Sequence, residues 1–161
     1  MLTPEQRREL IDKIRVLPEQ LAARVRGLSV EQLTTHFLAH EWTVAQNVHH
    51  LGDSHMNSFI RLKLILTEDH PTLRPYDQDD WAKTPEANSP EIEISLRLLA
   101  GLHARWVVLF EGLSEAEWQR TGYHPENGDM SVEDLLRIYA AHGEGHIDQI
   151  NRTLAAESSG Q

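Results

Sequence analysis

Apolar residues recur at spacings of three and four along four long stretches of the chain, and no stretch keeps up the alternation of a strand. The first stretch runs from about Pro4 to Arg26, with Leu10, Ile14, Leu17, Leu21 and Val25 on one stripe; Pro18 is expected to kink or divide it. A short turn capped by Ser29, with Gln32 closing a capping box, follows. The second stretch starts near Thr43, where Thr43 and Gln46 form another capping box, and ends by Thr67. Its apolar face reads Val44, Val48, Leu51, His55, Phe59, Leu62, Leu66. Glu68 to Asn88 is rich in Pro and Asp and reads as a long loop.

Ser89-Pro90 predicts the start of a third helix, running to about Glu111 through Ile94, Leu98, Leu102, Arg105 and Leu109. Ser114 and Glu117 cap a short turn, and Thr121 to Met130 carries turn chemistry around His124-Pro125-Glu126-Asn127-Gly128. Ser131 and Asp134 open the fourth helix, which is expected to run to about Ala156. The expectation is an all-α four-helix bundle with long connecting loops, a single domain over residues 1–156 followed by a disordered tail over 157–161. The two long connections allow topologies other than simple up-down-up-down.

Composition narrows the function. The chain has 161 residues, no cysteine, ten histidines and a formal net charge of −10. Without cysteine there is no disulfide, thiolate metal site or cysteine nucleophile, so a thiol in the reaction comes from a small molecule. The acidic balance, with no Lys/Arg block to offset it, argues against a nucleic-acid partner. No segment reaches the ~20 apolar residues of a membrane span, and the charged N-terminus lacks a signal peptide's apolar stretch. A cytoplasmic location is the expectation.

The histidines carry the candidate chemistry. His142-Gly-Glu-Gly-His146 places two imidazoles one helical turn apart. They lie on the stripe Leu135, Tyr139, His142, His146, Ile150, so both are expected to face the bundle interior. Two such rings can reach one cation at nitrogen–metal distances of ~2.0–2.1 Å if it is zinc. Gly143 and Gly145 imply a close backbone approach or room for a ligand. A third ligand must come from elsewhere. Helix phase favours His55, whereas His49 and His50 flank the apolar stripe on opposite sides; His103 and His124 are further candidates, and His70 reads as solvated. Tyr139, one turn before His142, could hydrogen-bond a bound water or substrate. Glu144 is turned ~200° from His142 and points away. Asp53 and Asp148 could orient ligand rings from behind. Trp42, Trp81 and Trp106 read as core and pocket wall.

The stretch WTVAQNVHHLGDSHMNSFIRLKLILTED resembles the first metal motif of the DinB superfamily, and more narrowly of its YfiT-like branch. RPYDQDDWA, LHARW, YHPENG and YAAHGEGHIDQI continue the likeness in order, over roughly residues 5 to 155. The resemblance implies a ligand set of His50, the histidine eight positions after Trp42, with His142 and His146. It thus selects His50 over the His55 that helix phase favours. It also implies one divalent metal ion (zinc or nickel first, manganese or iron as alternatives), a small-molecule substrate and a homodimer. The implied activity is metal-dependent hydrolysis or transfer of a low-molecular-weight thiol such as bacillithiol; the alternative is a metal-binding protein without catalysis. The Gly-Glu-Gly between the last two ligands departs from close relatives, which have bulkier polar residues there. Because ligation needs neutral imidazole, with a reference pKa of ~6.5, metal affinity is expected to fall between pH 7 and 5.

Overall fold

The computed structural model describes residues 1–159. The predicted capping boxes form, and Thr3 adds one that was not among them. Thr3 caps α1 (Pro4–Val25), Ser29 caps α2 (Val30–Thr34) and Thr43 caps α3 (Val44–Thr67), each by reciprocal bonds with the Gln three residues on. The loop after α3 contains a short helix, α4 (Gln78–Trp81), before α5 (Glu93–Glu111). Ser114 caps α6 (Glu115–Trp118), and Ser131 exchanges bonds with Asp134 at the start of α7 (Val132–Ser159).

Several expectations are corrected. Pro18 lies inside α1 without dividing it. The third long helix starts at Glu93 rather than beside Ser89-Pro90: Ile92 N–H turns back to the Pro90 carbonyl at 2.8 Å, and the Ser89 carbonyl is taken by His49 at 2.9 Å. Residues 121–131 form a hairpin, with β1 (Thr121–His124) antiparallel to β2 (Gly128–Ser131) in the register Thr121↔Ser131 to His124↔Gly128. Gly128 takes φ 74°, which the tight turn requires. The last helix continues past Ala156 to Ser159, and Glu157 accepts a bond from Gln32 Nε2 at 3.0 Å. Of the expected disordered tail, Gly160 and Gln161 lie outside the described residues.

The four long helices make the bundle. α1 packs against α5 and α7, and α3 packs against the same two. Helices consecutive in sequence, α1 with α3 and α5 with α7, therefore sit diagonally, and the connections between them cross an end of the bundle. The buried stripe of α5 is Leu96, Leu99, His103, Trp106 and Phe110, not the sequence-predicted one; Ile94 is 69% and Leu98 43% exposed. At the α1 end, Arg7 is buried and forks onto Glu133 Oε1 through Nε (2.9 Å) and NH2 (2.7 Å), over the Trp118 ring. That pair locks the starts of α1 and α7 together.

The apolar core falls into two clusters. One gathers Ile11 and Ile14 with Leu62, Trp106, Phe110 and Leu135; the other gathers Leu21 and Val25 with Val48, Leu51, Leu99 and Ile150. Between them stand His55 on α3, His103 on α5, and His142 and His146 on α7. The bundle is interrupted at mid-height by a layer of imidazoles.

Candidate metal centre

A polar layer inside an apolar bundle survives only if its donors and acceptors are satisfied. His50 comes from α3, His142 and His146 from the facing turn of α7. Their Nε2 atoms converge: His142 lies 3.3 Å from His50 and 3.2 Å from His146. The three offer ligand atoms that all lie within 4.8 Å of one another. Two nitrogens each ~2.0–2.1 Å from a common ion stand roughly 2.9–3.4 Å apart at octahedral to tetrahedral angles, so the two short separations fit a shared cation.

The far side of each α7 ring shows which nitrogen is free. Asn47 gives its Nδ2 to the Thr43 carbonyl at 2.9 Å, so its Oδ1 is the atom that meets His146 Nδ1 at 2.7 Å. His146 therefore donates from Nδ1 and keeps its lone pair on Nε2. His142 Nδ1 meets His55 Nε2 at 3.1 Å. Burial holds all three rings neutral, lowering the pKa of His50 to about 3, of His142 to about 3 and of His146 to about 4. Neutral imidazoles whose Nε2 atoms meet in this way suit a shared cation; without one, His50 can donate its own Nε2–H to His142. Trp42 walls the group, with its ring 4.6 Å from His50 and parallel within 12° to His146.

His142 borders two cavities. One, of about 420 Å³, is lined by Ser54, Arg61, Tyr76, His124, Tyr139 and His142, with the carboxylates of Asp77 and Glu126. The other, of about 410 Å³, is lined by Trp42, Gln78, Asp79, His142, His146 and Gln149. The loop after α3 and the hairpin are joined where Leu73 N–H reaches the Tyr123 carbonyl (2.8 Å) and Tyr123 N–H the Pro71 carbonyl (2.9 Å). Both thereby contribute to the first cavity. Larger clefts of about 700 Å³ lie between α1 and α5 and between α3 and α5. They contain none of the three converging rings, so the chemistry rather than the volume marks the site. In the first cavity Arg61 gives NH2 to the Arg74 carbonyl at 2.6 Å, while its buried Nε has no partner.

The other sequence candidates are placed as follows. Tyr139 is buried, with its ring edge-on to His55 at 5.2 Å, and lines the first cavity. His55 is fully buried behind His142. His49 faces the start of α5, bonded to Ser95 Oγ (2.8 Å) and the Ser89 carbonyl. His70 is exposed and pairs with Asp129 at 3.0 Å. Glu144 points outward to Lys13 at 2.9 Å. Asp148 pairs with Arg152 at 3.3 Å on the surface, and Asp53, its carboxyl raised by burial to about 6, sits toward Glu86 and His49. The groups behind the ligand rings are Asn47 and His55, not these aspartates. Asn47 follows the Thr43 cap by one helical turn, a spacing at which an amide reaches back to the cap carbonyl; that signal was available. Gly143 answers to close approach, since a Cβ there would fall 2.4 Å from Leu17 of α1, whereas Gly145 faces open space.

A family model for the DinB superfamily matches residues 13–150. Proteins from Oceanobacillus iheyensis and Geobacillus thermodenitrificans, both provisionally named metal-dependent hydrolases, are 46% identical over 142 residues and 48% identical over 145. The first alignment covers 88% of this chain and 82% of the relative, the second 89% and 81%. Among solved structures, YfiT from Bacillus subtilis superposes with a TM-score of 0.94 at 36% identity, covering 98% of this chain and 91% of that one. It is described, again provisionally, as a metal-dependent hydrolase with an unusual four-helix bundle topology.

Proposed function

The chain belongs to the DinB superfamily, and we propose that it is a metal-dependent enzyme in which His50, His142 and His146 hold one divalent cation against a small-molecule substrate. The observation that carries this reading is the convergence of the three Nε2 atoms, 3.2 and 3.3 Å from His142, at the meeting of two cavities. Zinc or nickel, both suited to imidazole nitrogen, is the cation proposed, with manganese and iron as alternatives. Three neutral protein ligands are the complement of a catalytic site, whereas structural zinc is usually closed by four. Bound there, the cation supplies Lewis acidity to a small nucleophile, either water or a low-molecular-weight thiol.

The chain's own groups do the rest. Asn47 holds the His146 ring in place, and Trp42 shields one flank from solvent. Arg61 lines the cavity beside His142 and brings a fixed positive charge to the substrate's side of the site. Tyr139 lines the same cavity, and its hydroxyl would donate to the substrate. For hydrolysis, Asp77 or Glu126 would take the proton from water. Thiol transfer is kept as the second reading because the cysteine-free chain supplies no competing thiol. We propose a homodimer as well, with the exposed Ile94 and Leu98 of α5 as its apolar contact; sedimentation at micromolar concentration should give twice the chain mass.

The test is a mass-spectrometric screen of esters, amides and electrophiles with metal-loaded protein, with and without a panel of small thiols. Metal-dependent turnover in the thiol-free arm identifies a hydrolase, and adducts only in the other arm identify a transferase. Metal binding without turnover in either arm would mark a non-catalytic binder.

A further inference from the structure

We propose that His103 and His55 are positioning residues which fix, through a one-way hydrogen-bond chain anchored on the Ile14 carbonyl, that His142 presents Nε2 to the cation. This rests on the metal site proposed above. The chain starts in α1. Pro18 has no N–H to give the carbonyl four residues back, so the helix leaves the Ile14 oxygen free of that bond. His103 Nδ1 reaches it from α5 at 2.6 Å. A carbonyl only accepts, so the proton is on His103 Nδ1.

A neutral imidazole carries one ring proton, which leaves His103 Nε2 an acceptor. It lies 2.8 Å from His55 Nδ1, which must donate. His55 Nε2 is then an acceptor, and it receives the proton of His142 Nδ1 at 3.1 Å. The lone pair of His142 is left on Nε2, the atom facing His50 and His146. Reversing any one link sets two N–H groups or two lone pairs against each other, or a lone pair against the carbonyl. His55 and His103 are 0% and 1% exposed, so solvent cannot relieve such a reversal. The His55 and His103 rings are parallel within 14°, and Trp106 and Tyr139 abut His55 edge-on, which holds the relay's orientation.

His103 touches neither the cation nor a ligand ring, so its effect on the metal is a sharp test. In metal-free protein at neutral pH, ¹⁵N spectra of the histidine rings should show His103, His55 and His142 all protonated at Nδ1 and bare at Nε2. His103→Leu removes the anchor; the Nε2-protonated form of His142 should appear, and zinc affinity should fall ~10–100-fold. His103→Gln keeps an amide N–H for the Ile14 carbonyl and an oxygen for His55, and should restore both readouts. A purely structural His103 would lower the melting temperature in the Leu variant without changing the His142 tautomer or the zinc affinity. That result, or a wild-type His142 protonated at Nε2, overturns the proposal. If the Leu variant does not fold, the wild-type spectrum decides alone. Failure of wild-type protein to bind zinc would instead defeat the metal site, while the tautomers stay readable.

Discussion

The Ile14 carbonyl accepts the Nδ1–H of His103 at 2.6 Å, and it is the carbonyl that Pro18 leaves without a helical donor. A proline inside a helix ordinarily costs ~3 kcal/mol. Here its effect is to free an acceptor for the imidazole layer. Pro18→Ala should therefore raise the thermal stability of metal-free protein while weakening zinc binding several-fold, since the new N–H competes with His103. Calorimetric melts paired with zinc titrations check this; a variant that gains stability with unchanged affinity would deny the link.

Much of the molecule was legible in the chain. Thr43, Ser114 and Ser131 announce helix starts because a short polar side chain is matched three residues later by Gln, Glu or Asp, a purely local relationship. The stripe through Leu135, Tyr139 and Ile150 was readable because Arg137, Glu144 and Asp148 mark the opposite face of the helix. On α5 the same logic failed. Leucines lie on both faces, and the stripe through Ile94 and Leu98 read as well as the true one, whose phase is set by His103 meeting Ile14 across the bundle. The hairpin escaped notice because each strand is four residues long, too short to show alternation. His50 lay off the apolar stripe because it points sideways to α7 rather than down into the core, and only the family likeness singled it out. The Arg7–Glu133 fork joins residues 126 positions apart and has no local signature.

The two glycines of the ligand turn should respond in opposite directions. Gly145→Ala adds a methyl into open space and should stabilise the helix by about 0.5–1 kcal/mol. Gly143→Ala drives a methyl to 2.4 Å from the buried Leu17 Cδ2, so overpacking of about 1–3 kcal/mol outweighs the same helical gain. Urea unfolding of the two metal-free variants measures both; equal shifts would mean that α1 and α7 do not approach as described.

Acid should act on the fold before it acts on the ligands. Burial lowers His50 and His142 to about 3 and His146 to about 4, against ~6.5 in an unfolded chain. Between those values the unfolded chain binds protons that the native state refuses, so metal-free stability falls as pH drops below about 6.5. Each of the three histidines contributes up to about 1.4 kcal/mol per pH unit. While the protein stays folded, the rings remain neutral and zinc affinity should be nearly flat from pH 7 to 5. An affinity that falls steeply over that range would instead show ligand rings titrating near the reference pKa of a free imidazole. Urea midpoints and zinc titrations over that range check both statements; midpoints independent of pH would show that the rings protonate in place.

In the proposed site His50 joins His142 and His146 around one ion. Its most direct test is a zinc titration of chelator-stripped wild-type protein beside the His50→Ala, His55→Ala and His70→Ala variants. One equivalent should bind tightly to wild type and to His70→Ala. The His50→Ala variant should lose tight binding, and His55→Ala should be weakened only as far as the loss of a ring-orienting partner allows, ~10–100-fold. Full occupancy in His50→Ala, with binding abolished in His55→Ala, would place the ion deeper in the bundle and contradict the account.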